Sequence, residues 1–120
     1  MVESFGTGCS TNGFGTVLTA TGTGLAGTTL FFISNDHTPN APAQLFVAAN
    51  LATTTVSPLS CSLLVDTSAF VAVTLSNQGK LNHSLPLPPV FGVDHFFQLL
   101  VLESSFQRTI TNAIHVRVPH

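Results

Sequence analysis

The longest strongly apolar run of this chain covers residues 95–103, and it constrains the fold more than any other stretch. With the two-residue period of a β-strand, both faces of the run are apolar apart from one glutamine and the final glutamate. The faces are Phe96, Gln98, Leu100 and Leu102 on one side, and Phe97, Leu99, Val101 and Glu103 on the other. The adjacent phenylalanines favour a strand over a short helix. The run therefore predicts a central strand that is covered on both faces.

Short β-prone segments, separated by Gly, Pro and Asn turns, fill most of the remaining chain. The predicted strands are 16–21, 28–34, 43–49, 53–56, 61–66, 69–76, 80–85 and 111–118. Because no amphipathic helix interrupts them, we expect an all-β fold. The expected architecture is an antiparallel two-sheet β-sandwich of about eight strands, Ig-like or fibronectin-like. It would be a single domain over residues 1–120, in which residues 1–15 form a glycine-rich N-terminal arm.

Two turn motifs and a proline cluster refine this prediction. Residues 22–27 match the GxGxxG nucleotide fingerprint, but the β-branched and aromatic segment after them favours a turn between strands. Residues 77–79 read Asn-Gln-Gly, which predicts a hairpin turn between the segments 69–76 and 80–85. The prolines at 86, 88 and 89 cannot donate in a sheet ladder, so the segment that contains them should be an edge or a loop.

Charged residues make up only 7% of the chain, against about 25% in an average soluble domain. Three basic side chains cannot form a nucleic-acid interface, so no nucleic-acid partner is expected. No segment approaches the roughly 18 continuous apolar residues of a membrane span. A surface of Thr, Ser, Asn and Gln repels its neighbours weakly, which favours self-association.

The two cysteines, Cys9 and Cys61, lack the Cys-x-x-Cys spacing of redox and zinc sites. A disulfide between them would close a loop of roughly 50 residues and contribute about 4 kcal/mol in the chain-entropy model. Two buried free thiols are the alternative. Low charge and abundant threonine favour an extracellular, oxidising location. The first residues have no basic or apolar leader segment, so the chain is either cytoplasmic or a mature form without its leader.

The order of several short motifs resembles a secreted β-sandwich domain of planctomycete and some myxobacterial extracellular proteins. The motifs are a Gly-x-Gly-Cys arm at 6–9, a proline loop at 40–43, a Cys-x-Leu-Leu-Val-Asp strand at 61–66, a Leu-Pro-x-Pro segment at 85–88, and the segments 96–98, 101–103 and 111–114. This resemblance implies the β-sandwich fold and a Cys9–Cys61 disulfide at the cell exterior. It implies no reaction.

No motif assigns a catalytic residue. The Gly-x-Ser-x-Gly elbow is absent, and we expect neither an enzyme nor a cofactor. Asp36-His37 and Asp94-His95 are adjacent pairs, and neighbours on a strand point to opposite faces. Neither pair alone should hold a metal ion, although convergence of two loops with His83 or His115 stays open. Without such convergence, we expect these side chains to be solvated.

The sequence predicts a non-enzymatic extracellular structural module that acts through protein–protein contacts and is open to self-assembly as a homo-oligomer or filament. The alternative is an adhesive or glycan-binding surface module, although the lack of Trp and Tyr counts against a sugar-stacking platform. Apolar residues in the arm and in the proline-rich segment are the candidate interface. They are Phe5, Pro86, Pro88, Pro89 and Phe91.

Overall fold

A computed structural model describes residues 2–10, 17–55, 62–87, 92–104 and 107–118. Within these ranges there are eleven strands and no helix. The strands are β1 (Val2–Phe5), β2 (Cys9–Ser10), β3 (Leu18–Thr21), β4 (Thr29–Ser34), β5 (Pro42–Ala48), β6 (Leu51–Thr55), β7 (Ser62–Val65), β8 (Phe70–Thr74), β9 (Leu81–Pro86), β10 (Asp94–Leu102) and β11 (Arg108–Arg117). The prediction of an all-β chain is confirmed.

The strands form three antiparallel sheets. The main sheet has the order β1-β11-β10-β5-β8, with β2 also paired to β11. The second sheet has the order β3-β4-β9, and β6 pairs with β7 as a separate hairpin. This arrangement is compatible with a β-sandwich, but the predicted count of about eight strands in two sheets is wrong. The count differs because the N-terminal arm supplies β1 and β2, and because the β6–β7 hairpin joins neither larger sheet.

The central strand is β10, and both of its faces are covered as predicted. Phe97, Leu99 and Val101 pack in the core between the main sheet and the second sheet. Leu100 packs on the opposite side with Leu63 of the hairpin strand β7. Burial of each large apolar side chain contributes about 1.5–3 kcal/mol. The second sheet and the hairpin therefore cover opposite faces of one sheet, each with its own apolar core.

A bulge in the pairing of β10 with β11 carries three buried polar side chains. The register shifts between Gln98 and Leu100, so Thr111 and Asn112 together lie opposite one residue of β10. Gln98 accepts a hydrogen bond from the Leu64 N–H at 2.7 Å and donates to the Thr111 carbonyl at 2.7 Å. Gln98 is therefore a polar link between the main sheet and the hairpin.

The second residue of the bulge reaches the opposite sheet. Asn112 Oδ1 accepts a hydrogen bond from the Leu18 N–H at 2.8 Å, and its Nδ2 donates to the Leu18 carbonyl at 3.1 Å. Thr111 Oγ1 accepts from the Leu99 N–H at 3.2 Å, which satisfies a donor that the bulge takes out of the ladder. The bulge therefore projects amide side chains towards both of the sheets that cover the main sheet.

Both predicted turns are present, but one of them does not join the two strands that were predicted to pair. Residues 22–27 connect the paired strands β3 and β4, as expected, with positive φ at Gly22, Gly24 and Gly27. Residues 77–79 also turn, but β8 pairs with β5 and β9 pairs with β4, so this turn crosses between sheets. The strand β9, which ends at Pro86, is an edge strand as its proline predicts. The arm, predicted to be a loop, contains β1 and β2 because β11 offers them a free edge.

We expect Gln98→Leu to lower the free energy of unfolding by about 2–4 kcal/mol, because it leaves a buried N–H and a buried carbonyl without partners. Urea unfolding followed by circular dichroism measures this. Gln44→Leu is the matched control, since Gln44 is half-buried on the same face of the neighbouring strand β5. Its effect should stay within about 0.5 kcal/mol. Equal effects of the two substitutions would contradict the proposed link.

Candidate functional site

Three side chains from distant parts of the sequence form a hydrogen-bonded chain, here called the buried triad: Ser34, His37 and Glu103. His37 Nε2 lies 2.7 Å from Ser34 Oγ, and His37 Nδ1 lies 2.8 Å from Glu103 Oε1. Glu103 Oε2 accepts a further hydrogen bond from the Thr38 N–H at 3.0 Å. This connectivity is that of a Ser-His-carboxylate catalytic triad.

The loop that carries His37 is fixed by backbone geometry. Asp36 and Asn40 adopt positive φ values of 67° and 60°, which Asp and Asn tolerate better than other side chains. The His37 N–H donates to the Gly79 carbonyl at 3.1 Å. A Cβ atom at Gly79 would lie 1.9 Å from the His37 carbonyl oxygen, so only glycine fits there. The close approach of the two loops explains the glycine in the 77–79 turn.

Accessibility decides what the buried triad can do. A nucleophile must contact its substrate, but Ser34 is only 1% exposed and the His37 side chain is fully buried. The expectation that His37 is a solvated loop residue is therefore wrong. In this arrangement the carboxylate and the hydroxyl give both ring nitrogens of a buried imidazole a partner. The triad holds the loop of residues 35–41 against the end of β10, which is a structural role.

Charged side chains of three neighbouring strands meet on the main sheet, in a group here called the charged cluster: Glu3, Asp94, His115 and Arg117. His115 Nδ1 lies 3.0 Å from Glu3 Oε1, and His115 Nε2 lies 2.8 Å from Asp94 Oδ1. Arg117 Nη1 lies 3.4 Å from Asp94 Oδ2. The His115 ring stacks on Phe96, with ring centroids 4.8 Å apart. The cluster joins β1, β10 and β11 across the sheet.

The charged cluster shifts the titration of two of its members. Burial alone would lower the pKa of His115, but the hydrogen bonds that its ring donates to Asp94 and Glu3 outweigh it, so this pKa is raised. The hydrogen bond from His115 in turn lowers the pKa of Asp94, and the charge of Arg117 acts in the same direction. Both shifts favour the doubly charged pair.

The predicted Asp-His pairs do not build a metal centre. Asp94 does meet His115, as the open alternative required, but the contact is an ion pair. Within the described ranges, no group of three or more His, Cys, Asp or Glu side chains could hold a metal ion.

The strand β8 forms one edge of the main sheet among the described strands. The Val47 N–H bonds the Ala69 carbonyl and the Leu75 N–H bonds the Ala41 carbonyl, which sets the alternation of the ladder. The backbone groups of Phe70, Ala72 and Thr74 must then point away from β5, to the open side. The sequence of β8, Phe-Val-Ala-Val-Thr, contains neither a charge nor a proline, and Phe70 is 50% exposed.

The outer face of the second sheet is also uncharged. Phe31 and Ile33 of the middle strand β4 are 52% and 37% exposed. Their cross-strand neighbours are the polar or hydroxyl-bearing side chains Thr19, Thr21, Asn82 and Ser84. This face therefore has an apolar centre and a neutral polar rim.

The structure places two of the five predicted interface residues, and neither placement tests their role. Phe5 is half-buried and packs edge-on against Phe96, with ring centroids 6.3 Å apart. Pro86 is exposed at the end of β9. Pro88, Pro89 and Phe91 lie outside the described residues. Cys9 carries no free thiol, but Cys61 also lies outside the described residues, so the Cys9–Cys61 bridge stays a prediction.

Sequence reasoning missed the buried triad and the open edge of β8. Glu103 lies 66 residues from His37, and no local pattern connects them. The edge left a signal in the sequence, because the segment 70–74 lacks the charge or proline that commonly guards edges. That signal becomes readable only when the order of strands in the sheet is known.

Comparisons with known proteins give no relative from which to argue. No family model matches the chain, and neither curated proteins nor solved structures give a significant match. The resemblance to the planctomycete and myxobacterial domain therefore stays a hypothesis. In the part of the chain that the structure describes, no helix has the length and apolarity to cross a lipid bilayer.

We expect Glu103→Ala to lower the free energy of unfolding by about 2–4 kcal/mol, since it leaves His37 Nδ1 and the Thr38 N–H without their acceptor. Chemical denaturation measures this value. Glu3→Ala is the matched control, because the Glu3 side chain is 52% exposed and a surface ion pair contributes about 0–1 kcal/mol. If the two variants lose the same stability, the triad does not hold the loop.

The raised pKa of His115 predicts a pH-dependent contribution to stability. A base whose pKa is raised by folding stabilises the fold fully below its unfolded pKa, about 6.5, and this contribution is lost as the pH rises through the folded value. The Tm difference between wild type and His115→Gln should therefore be larger at about pH 5.5 than at about pH 8.5. Salt at about 0.5 M should reduce it. A difference independent of pH would show that only the stacking on Phe96 matters.

Proposed function

We propose that this chain is a non-enzymatic structural module of the cell exterior that acts through protein–protein contacts, and that β8 is where another strand adds to it. The observation that carries the proposal is the open, uncharged edge of β8, with backbone donors and acceptors directed outwards. Strand addition at such an edge is a recurrent mode of protein recognition.

The edge strands β1 and β9 are protected in ways that β8 is not, whereas the edge strand β3, Leu-Thr-Ala-Thr, also lacks a charge and a proline but carries a threonine at every second position. The edge strand β1 carries Glu3, and the edge strand β9 ends in Pro86. Charges and prolines at edges prevent uncontrolled pairing. The edge strand β8 has five residues, four of them apolar, and contains neither a charge nor a proline. This contrast supports a role for β8 in controlled association.

The outer face of the second sheet supports the proposal only as an auxiliary contact. Three strands spaced about 4.8 Å apart and about five residues long give a face of roughly 240 Å². A stable interface buries about 800 Å² per partner. This face alone is therefore too small for a stable dimer, and edge pairing has to provide the rest.

The disulfide and the extracellular location belong to the same proposal. Cys9 packs against the apolar core beneath the hairpin, to which Leu63 and Val65 of β7 also belong. Cys61 directly precedes β7 in the sequence. This proximity supports a Cys9–Cys61 bridge that ties β2 to the hairpin.

A glycan-binding or adhesive surface remains the second candidate. It is supported by Phe31, an exposed ring flanked by Thr21 and Ser84, which could stack on a sugar while the hydroxyls form hydrogen bonds. Reproducible binding of the monomer on a glycan array, lost in Phe31→Ala, would favour this candidate over strand addition.

Ala72→Lys tests the proposed edge, because it places a charge beside the outward-facing backbone and should weaken self-association at least about tenfold. Sedimentation equilibrium over a concentration series measures the association constant. Thr53→Lys is the matched control, with the same charge change at an exposed position of the hairpin strand β6, which belongs to neither the main sheet nor the second sheet. It should associate like the wild type.

Two results would contradict the proposal. A wild type that stays monomeric over the whole series would exclude self-assembly. Equal weakening by both lysine variants would show that charge in general, and not the edge of β8, controls association.

A further inference from the structure

An apolar pocket of about 290 Å³ opens between the edge strands β8 and β9. Val71 of β8 and Leu85 of β9 form its sides, and Val47, Phe97 and His95 also line it. All the other lining residues are Val, Ala, Phe, Leu or Pro, so His95 supplies the one polar side chain among them. The pocket has the composition of a small-molecule site, which is mostly apolar with few polar groups.

Among the described residues, His95 is the exception to the rule that buried polar side-chain atoms have hydrogen-bond partners. Its Nε2 is buried and has no hydrogen-bond partner among the described residues. The ring lies near Phe97, with ring centroids 6.4 Å apart and planes 30° from parallel. A buried polar atom without a partner costs free energy, and in native structures such an atom calls for an explanation. A ligand that brings the missing partner would remove this cost.

We propose that this pocket binds a small neutral molecule with an apolar ring and one hydroxyl group. The ring would lie among Val47, Val71 and Leu85, and the hydroxyl would bond to His95 Nε2. Because χ2 of a histidine is a soft torsion, the ring can turn to present Nε2 to the ligand.

The residues that line the pocket favour a neutral ligand. A charged molecule would lose its hydration without gaining a counter-ion, because none of the described residues that line the pocket carries a charge. Burial also lowers the pKa of His95, so its imidazole is neutral near pH 7 and can either donate or accept. A hydroxyl group can accept from the imidazole or donate to it. An ether can only accept, and an amine would enter the pocket as a cation.

The probes are p-cresol and toluene, which differ only in the hydroxyl group. Titration followed by ¹H–¹⁵N NMR should give saturable shifts at Val47, Val71 and Leu85, with p-cresol binding about tenfold more tightly than toluene. His95→Phe should abolish the preference for p-cresol and keep the binding of toluene. His83→Phe is the matched control on β9, outside the pocket lining, and should keep the preference.

Each result supports or overturns the proposal. Equal affinities of the wild type for the two probes, or no saturable shifts, would overturn it even if His95→Phe failed to fold. A preference for p-cresol that survives in His95→Phe would also overturn it. Ala72→Lys should bind p-cresol like the wild type, so failure of the pocket and failure of the proposed edge are seen separately.

Discussion

The rest of the structure depends on how the buried bulge of β10 and β11 satisfies its polar groups. A strand that is covered on both faces excludes water, so every backbone group displaced by the bulge needs a protein partner. Thr111 supplies that partner for Leu99, and Gln98 and Asn112 extend outwards to the two covering sheets. Because these amide contacts are directional, they fix where the hairpin and β3 dock, which apolar packing alone would leave less determined.

The sequence alone was sufficient for the core strand and insufficient for its partners. Period-two alternation assigned Phe97, Leu99 and Val101 to one face and Leu100 to the other, and the two cores confirm this assignment. It also marked Gln98 as the polar member of its face. It could not reveal that Gln98 bonds to Leu64, because that contact depends on the docking of a separate hairpin.

The predictions that failed are those that inferred the pairing of distant strands from local sequence. The glycine-rich arm has weak strand propensity, but β1 pairs with β11, more than 100 residues away in the sequence, and forms part of the main sheet. The 77–79 turn has good turn residues, but its glycine serves the contact with His37 and the strands on its two sides join different sheets. Turn chemistry specifies a change of direction and leaves the partner strand open.

The buried triad and the flank of β8 show how polar satisfaction separates structural from functional groups. The buried triad has the connectivity of a catalytic triad. Its polar contacts are all made within the protein, however, and the Ser34 hydroxyl is inaccessible to a substrate. The flank formed by β8 and the adjacent pocket shows the opposite pattern. Among the described residues, the outward backbone groups of β8 and the Nε2 atom of His95 have no partner. Folded sequences break such local rules mainly where function requires it. Two independent departures lie together on one flank, and Val71 belongs to both the edge strand and the pocket lining. That coincidence is the reason why we place the proposed contacts with other molecules on this flank and not at the triad.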